Sequence, residues 1–225
     1  MFNTKIVYDF TKFTHLDYPQ QLACIIWFAG CNMRCDYCYN SDIVFAKNGN
    51  YSLNDMLDFL KTRIGLLDGV VLSGGEATTR NLVEFCKEIK KLGFLIKLDT
   101  NGTDPKRIKE LLDLNLLDFI ALDYKAPKEK FTQITHSNRY DEFSDTLNIL
   151  MACKIEFEVR TTLHYDLLNE DDINSIINDL IQRRYSKTFY IQEFLDTGTS
   201  IANLEKSSSS FDKTKLLNDI KIVWR

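Results

Sequence analysis

The sequence has no excess of basic side chains. Its 225 residues include 28 Lys and Arg against 32 Asp and Glu, which gives a formal net charge of -4 at pH 7 and an isoelectric point near 5.5. A protein that follows phosphate backbones usually carries a broad basic surface. We therefore expect no nucleic-acid partner.

The sequence also lacks a long apolar run. The longest one, LACIIWFAGC at residues 22–31, is far shorter than the roughly 20 residues that a helix needs to cross a bilayer. The opening residues, MFNTKIVYDFTKF, mix charged and apolar side chains, so we expect no secretory signal. A cytoplasmic protein with no membrane partner is expected. Thiols stay reduced there, and clustered cysteines more often bind metal than form disulfides.

Strand-like and helix-like segments alternate along the chain. The predicted strands are LACIIWFAG (22–30), DGVVLSGG (68–75), FLIKLDT (94–100), DFIALDY (118–124), KIEFEVRTTL (154–163) and TFYIQEF (188–194). Six strand–helix units predict an α/β fold, a partial (β/α)6 TIM-like barrel of parallel strands that is open on one side. An open doubly wound sheet is the alternative. In both, ligands bind at the carboxyl ends of the strands.

We expect residues 1–225 to form a single domain with its core at residues 13–194. The residues before the first predicted strand are expected to form a loop. Residues 195–225 are expected to form a C-terminal loop and helix. The serine run at residues 207–210 indicates a mobile loop, and the last helix is predicted at residues 213–222.

Three of the six cysteines, Cys31, Cys35 and Cys38, lie within eight residues directly after the first predicted strand. Three thiolates on a short loop can hold three irons of a cubane cluster and leave the fourth iron open to another ligand. A structural zinc site is the alternative, but such sites want four ligands and no further Cys or His follows nearby. The spacing therefore favours an iron–sulfur cluster.

Several motifs in order resemble the radical S-adenosylmethionine (SAM) enzymes. CNMRCDYC, with Tyr37 before the last cysteine, is followed by SGGE at the end of the second strand. Within that superfamily, LDYPQQLACIIWFAGCNMRCDYCYN, GLLDGVVLSGGEAT, GFLIKLDTNG, LDYKAP and EVRTT resemble the activating proteins of anaerobic ribonucleotide reductase. The resemblance implies a 4Fe–4S cluster on the three cysteines, SAM as cosubstrate and Tyr37 beside the cofactors.

The SGGE segment comprises Ser73, Gly74, Gly75 and Glu76. Paired glycines can simply form a tight turn between a strand and a helix. They also let the backbone approach a ligand, and Glu76 could accept a hydrogen bond from an ammonium group. The resemblance assigns this segment to the amino group of SAM. The family usually has Pro after the Glu, whereas this chain has Ala77.

Two further strands end in acidic residues, LDTNG with Asp99 and Thr100, and LDYK with Asp123 and Lys125. Neighbouring carboxylates repel unless a cation or a proton lies between them. The oxygen atoms of Asp99, Thr100 and Asp123 suit Na⁺, K⁺ or Mg²⁺. A capping Asp99 and a solvated Asp123 are the alternative. The resemblance implies that Asp123 and Lys125 help to hold the SAM tail.

In the fifth strand, Glu156, Glu158 and Arg160 alternate and share one face. That face either lines a polar interior or forms an outward ladder of ion pairs. The resemblance implies that Arg160 faces SAM. His136 and His164 have no motif around them and are interpreted as loop or surface residues.

The resemblance implies an oxidoreductase that reductively cleaves SAM to methionine and a 5′-deoxyadenosyl radical. That radical removes hydrogen from a glycine of anaerobic ribonucleotide reductase, and the electron comes from a donor such as flavodoxin or ferredoxin. Other enzyme hypotheses are an activase of another glycyl-radical enzyme, such as pyruvate formate-lyase, and a small-molecule radical SAM enzyme such as 7-carboxy-7-deazaguanine synthase. A zinc-stabilised interaction module is the non-enzyme hypothesis.

Overall fold

The computed structural model describes residues 2–225, whose backbone contacts form two compact units. The first unit consists of the chain up to Asn32 together with Asp42–Thr100 and Asp104–Ala121. The second consists of Met33–Ser41, Asn101–Thr103 and Leu122–Arg225.

The first unit is built on a mixed sheet. Its strands are β1 (Lys5–Thr14), β2 (Ala23–Phe28), β3 (Tyr51–Ser52), β4 (Gly69–Gly74), β5 (Leu95–Thr100) and β6 (Phe119–Asp123), whose last two residues belong to the second unit. They lie in the order β3-β1-β2-β4-β5-β6. β2, β4 and β5 are parallel, whereas β1 is antiparallel to β2 and β3. β2 and β4 are mostly apolar on both faces, as is typical of parallel strands covered on both sides.

Helical segments of the first unit lie between its strands along the chain. They are α1 (Ser41–Phe45), α2 (Leu53–Lys61), a 3₁₀ turn (Ala77–Thr79), α3 (Val83–Lys91) and α4 (Pro105–Asp113). Ser52 and Asp55 form a capping box at the start of α2. Asp104 caps α4 through the N–H of Arg107, with Pro105 in the first turn. These caps satisfy N–H groups that have no partner inside the helix.

The second unit carries α5 (Lys128–Thr135), α6 (Tyr140–Ala152), α7 (Glu170–Gln182), β7 (Glu156–Leu163), β8 (Phe189–Glu193) and β9 (Ile222–Trp224). β7, β8 and β9 are parallel, with Val159 in register with Phe189 and Phe189 with Ile222. Apolar residues of α6 and α7 at helical spacing are buried. The predicted α/β class with mostly parallel strands is confirmed.

Both ends of the chain differ from the prediction. The expected opening loop is the ten-residue strand β1. The helix expected at residues 213–222 is instead a 3₁₀ turn at Lys213–Lys215 followed by the short strand β9. In β9, pairing with β8 supplies the backbone hydrogen bonds that a helix would have formed internally.

The serine run is also tied down by hydrogen bonds. The N–H of Tyr165 donates to Ser207 Oγ at 3.0 Å. The N–H groups of Ser208 and Ser209 donate to the carboxylate of Asp166 at 2.9 and 2.7 Å. A hydrogen bond from the Ser209 side chain, together with these two N–H groups, lowers the pKa of Asp166 below its usual range. The segment expected to be a mobile loop therefore has a defined anchor.

Across residues 2–225, no helix has the length and apolar character that spanning a membrane would require.

Candidate active site

The predicted site residues fall into two sets, one in each compact unit. The first unit contains Cys31, Ser73, Gly74, Gly75, Glu76, Asp99 and Thr100. The second contains Cys35, Tyr37, Cys38, Asp123, Lys125 and Arg160.

The cysteine loop connects β2 to α1. Its start is fixed in the first unit, where the N–H of Cys31 donates to the carbonyl of Val44 at 3.3 Å. In the second unit, the N–H of Cys38 donates to the carbonyl of Cys35 at 2.9 Å and closes a turn. Cys35 is 7% exposed, and Cys31 and Cys38 are half-buried. The loop thus leaves two of the three thiols partly accessible.

The donor chemistry of this loop fits a 4Fe–4S cluster. Three thiols lie within eight residues, and no disulfide links the cysteines of residues 2–225. Three thiolates suffice for three irons of a cubane, while the fourth iron takes another ligand. Within the same residues, no three His, Cys, Asp or Glu side chains are already placed as a metal-binding group. The assignment of a cluster to this loop therefore rests on the chemical type of its three thiols and on their spacing in the sequence.

The turn after β4 requires glycine because it packs against backbone. A Cβ at Gly74, where φ is +119°, would lie 2.2 Å from the nitrogen of Phe28. A Cβ at Gly75 would lie 2.1 Å from the carbonyl oxygen of Gly30. The N–H groups of Gly75 and Glu76 donate to the carbonyls of Phe28 and Gly30, both at 2.9 Å. The glycines therefore bring this turn against the start of the cysteine loop.

Glu76 has a structural task that the sequence did not reveal. Its side chain is 2% exposed and caps the 3₁₀ turn Ala77–Thr79. Oε1 accepts hydrogen bonds from the N–H of Thr78 at 3.1 Å, from Thr78 Oγ1 at 2.6 Å and from Thr100 Oγ1 at 2.8 Å. The carboxylate thus holds the turn closed and links it to the end of β5.

Asp99 pairs with a lysine that the sequence analysis missed. Lys97 is 2% exposed, and its Nζ lies 2.7 Å from Asp99 Oδ1. Asp99 Oδ2 accepts a hydrogen bond from Ser73 Oγ at 3.3 Å. The signal for Lys97 was a basic residue within the otherwise apolar run LIKL, two residues before Asp99 and hence on the same face of the strand.

Asp123 lies between two cationic side chains of the second unit. Lys125 Nζ donates to Asp123 Oδ2 at 2.9 Å, and Arg160 Nε donates to Oδ1. Backbone pairing also joins these elements, since the N–H of Tyr124 donates to the carbonyl of Arg160 at 2.8 Å. Arg160 therefore lies beside the pair of Asp123 and Lys125. This agrees with the alternative in which its face of β7 lines a polar interior.

Charge interactions fix the ionisation of this group. Burial alone raises the pKa of Asp123, but Arg160 and Lys125 more than offset it and hold that pKa well below its usual range. Burial alone lowers the pKa of Lys125, but Asp123, Tyr37 and Cys35 raise it well above the usual value. Carboxylate and ammonium are therefore both charged at neutral pH.

Tyr37 packs beside the same group. It is 4% exposed, its hydroxyl donates to the carbonyl of Lys125 at 3.4 Å, and the Lys125 ammonium lies 5.9 Å from its ring centre. Burial raises the pKa of Tyr37 well above its usual value. The aromatic residue between Cys35 and Cys38 thereby joins the cysteine loop to Lys125.

The carboxylates of the expected cation site are each paired with a protein cation of their own unit. Asp99 and Asp123 each accept a hydrogen bond from a lysine ammonium, and Thr100 Oγ1 donates to Glu76. Each carboxylate is thus already balanced by a positive charge. Binding of Na⁺, K⁺ or Mg²⁺ by Asp99, Thr100 and Asp123 stays a prediction.

Glu156 and Glu158 of β7, and His164 directly after this strand, divide between surface and interior. Glu156 is exposed and pairs with Lys187 at 2.9 Å, whereas Glu158 is 5% exposed and accepts two hydrogen bonds from Arg225 at 3.1 Å. His164 is 2% exposed, and its Nε2 lies 2.9 Å from the carbonyl oxygen of Glu205. His164 therefore lies in a loop, directly after the last residue of β7, as interpreted from the sequence, but it is buried and not at the surface.

Residues 25–180 match the protein family described as the Radical SAM superfamily. The chain belongs to the radical SAM superfamily. The match confirms the predicted superfamily and enzyme class, and membership implies two of the predicted cofactors, the 4Fe–4S cluster and SAM. It also removes the case for a zinc-stabilised module.

Curated relatives include proteins named as activases and as a cyclase. A glycyl-radical enzyme activating enzyme of Methanocaldococcus jannaschii is 31% identical over 80% of this chain and 80% of its own length. A GTP 3′,8-cyclase of Synechocystis is 28% identical over 79% of this chain and 55% of its own. A pyruvate formate-lyase-activating enzyme of Streptococcus mutans is 27% identical over 60% of this chain and 57% of its own.

A solved structure described as native anSMEcpe with bound AdoMet has a TM-score of 0.61 and 20% sequence identity. The match covers 75% of this radical SAM chain and 50% of the solved chain, so our chain spans about half the length of that protein. At this identity the likeness concerns the fold alone, and it agrees with the predicted partial barrel.

Proposed function

We propose that this radical SAM enzyme activates a glycyl-radical enzyme and that its partner is anaerobic ribonucleotide reductase. The observation that carries the activase function is the 31% identity to the M. jannaschii activating enzyme over 80% of both chains. The choice of ribonucleotide reductase rests on the ordered sequence motifs, chiefly the segment around the cysteine loop and EVRTT in β7.

Cys31, Cys35 and Cys38 hold the cluster in this proposal. When bound, the cluster supplies one electron that splits SAM into methionine and a radical able to remove hydrogen from the partner's glycine. A small electron carrier such as flavodoxin or ferredoxin reduces the protein. The partial exposure of Cys31 and Cys38 supports a centre that an external ligand can reach.

Lys125 pairs with the carboxylate of SAM, and Arg160 and Tyr37 complete this side of the site. Two cations surround the single carboxylate of Asp123, so the trio retains a positive charge that favours an anionic ligand group. Because the Lys125 side chain is tied to Asp123 and packs over Tyr37, little rotamer freedom remains to be lost when SAM binds.

The turn from Ser73 to Glu76 receives the amino group of SAM. Gly74 and Gly75 keep side chains away from the backbone there, which supports recognition by main-chain carbonyls. Glu76 holds the turn in shape, since its Oε1 already accepts three hydrogen bonds.

The partner's glycine loop is expected to contact segments bordering the carboxyl ends of the strands, at residues 136–142 and 197–210. Residues 202–206, just before the serine run, are mostly exposed. His136, at the start of the first segment, is half-exposed and lies 2.6 Å from Asp36. Both segments thus offer polar groups to an incoming chain.

The deciding experiment mixes the anaerobically reconstituted and reduced protein with SAM and anaerobic ribonucleotide reductase. We expect the doublet EPR signal of a glycyl radical, and we expect Cys35→Ala to give none. Parallel mixtures contain pyruvate formate-lyase, GTP or the precursor of 7-carboxy-7-deazaguanine. A radical formed only on pyruvate formate-lyase would keep the activase function and replace the partner. Turnover of a small molecule without any protein radical would reject the activase function.

A further inference from the structure

Lys97 is an unusual residue for its position. It lies in the middle of β5 and is among the largest fully buried side chains of the described residues. A lysine is almost never fully buried unless it is paired. The role of Lys97 is therefore to be sought in the group that its ammonium contacts, the carboxylate of Asp99.

The stem and the head of Lys97 lie in different surroundings. Lys97 is in register with Val71, and Val71 with Ile25. Val71 and Ile25 belong to a buried apolar cluster with Tyr18 and Ala23. Two residues further along the same faces, β4 and β5 present Ser73 and Asp99. The methylene stem thus lies in an apolar layer while the ammonium reaches the polar layer above it.

Two contacts join the end of β5 to the turn after β4. Lys97 fixes Asp99, which accepts from Ser73 Oγ at 3.3 Å. Thr100, the next residue, donates to Glu76 at 2.8 Å. The position of Ser73 and Glu76 is therefore coupled to the ammonium of Lys97 through Asp99 and the end of its strand.

We propose that the Lys97 ammonium is a built-in cation of the SAM site, which orients the Asp99 carboxylate and makes a bound alkali or magnesium ion unnecessary there. Lys97 is a positioning residue, because it acts through Asp99 and Ser73. The inference rests on the SAM site of the proposed function and is independent of which partner protein is activated.

The test measures SAM affinity of the cluster-loaded protein in choline chloride and in potassium chloride at equal ionic strength. Wild type should bind SAM equally in both salts. Lys97→Ala removes the ammonium and leaves space for an ion, so SAM should bind about tenfold more weakly in choline and regain most of that loss in potassium. Lys97→Arg keeps the charge and should remain independent of potassium.

Lys109→Ala is the matched control. Lys109 also pairs with an aspartate, Asp113, at 2.8 Å, but the side chains of this pair are 58% and 61% exposed. Its loss should leave SAM affinity unchanged in both salts, since exposed pairs contribute little. If Lys97→Ala does not load the cluster, thermal unfolding of the cluster-free protein decides. Potassium should then raise the midpoint of the variant selectively, by binding in place of the ammonium.

Three results would overturn the inference. Wild type could require potassium or sodium to bind SAM, Lys97→Ala could bind SAM as tightly as wild type in choline, or the variant could be equally impaired in both salts. The last result would assign Lys97 a purely structural role. None of these results affects the proposed function, which would fail instead if the wild-type protein bound no SAM in either salt.

Discussion

The turn after β4 in the first unit and the group around Asp123 in the second unit are held by different means. In the first, Gly74 and Gly75 allow backbone to pack on backbone, and Glu76 caps a turn. In the second, Asp123, Lys125 and Arg160 are held by ion pairs. Close backbone packing is sensitive to added volume and insensitive to pH, whereas ion pairs respond to charge and pH. Substitutions in the two units should therefore fail in different ways.

The largest effect is expected at the cysteines, where substitutions in the two units should have the same result. Cys31→Ala in the first unit and Cys35→Ala in the second should both abolish SAM cleavage, because each removes an iron ligand. Release of methionine from SAM and iron and sulfide content are the measurements. Cys86→Ala is the control, since Cys86 is buried in α3 and its loss leaves only a small cavity. Full activity in Cys35→Ala would contradict the cluster assignment.

The second largest effect is expected from added volume in the first unit. Gly74→Ala places a Cβ 2.2 Å from backbone at a φ of +119°, so overpacking and an unfavourable backbone conformation should together lower the free energy of unfolding by about 4 kcal/mol. Urea unfolding of the cluster-free protein measures this loss.

Gly93→Ala is the matched control for Gly74→Ala. Gly93 has a φ of +91°, but nothing lies within 4 Å of its Cβ position. Only the backbone conformation is then unfavourable, at about 1–2 kcal/mol. Equal losses in the two variants would show that the close packing at Phe28 contributes nothing.

A charge change in the second unit should come next. Asp123→Asn leaves Lys125 and Arg160 without their carboxylate, which should lower the free energy of unfolding by about 3 kcal/mol. SAM affinity should fall as well, while iron content stays at the wild-type level. Asp113→Asn, which alters an exposed pair, should change stability by less than about 0.5 kcal/mol. Unchanged SAM affinity in Asp123→Asn would separate this trio from the SAM site.

The smallest effect is a pH dependence that comes from Asp123 in the second unit and that the turn at Gly74 should not show. The pKa of Asp123 in the folded protein lies below its value in the unfolded chain, about 3.9. Its contribution is therefore fully present above the unfolded value and is lost as the pH falls through the folded value. The stability difference between wild type and Asp123→Asn should be constant from about pH 5 to 8 and shrink below about pH 4.

Urea unfolding at a series of pH values measures this difference. The corresponding difference between wild type and Gly74→Ala should stay level over the same range, because no titrating group is changed. A sloping Gly74→Ala difference would break the distinction between the two units.

Local signals determined much of the fold. β4, with its continuous apolar run GVVLSG, and the capped helices α2 and α4 were predictable, because buried parallel strands and caps leave direct traces in sequence. β1 was not predictable, since KIVYDFTKFT mixes charged and apolar residues and pairs with β2 in an irregular register. β9 was missed because pairing with β8 overrode a helical spacing of apolar residues.

The same contrast applies to the site. The cysteines and the glycine turn were visible as spaced motifs, and Asp123 and Lys125 as charged residues at a strand end, although their mutual ion pair was not predicted. Lys97 went unrecognised because a single lysine in a strand usually indicates an exposed face. The capping role of Glu76 depends on Thr78 and on Thr100, which is 24 residues further along the chain, and such tertiary partners leave no local pattern.

The strand β1 has a consequence for the behaviour of the protein in concentrated solution. A parallel sheet that ends at β2 would present a row of unpaired backbone groups, to which a second molecule could add a strand. β1 covers that row, and its own outer side meets the two-residue β3 at Lys5 and Val7. β1 also pairs with β2 in an irregular register and exposes the charged side chains of Asp9 and Lys12. These features disfavour strand-to-strand aggregation at this margin, even at the concentrations that EPR requires.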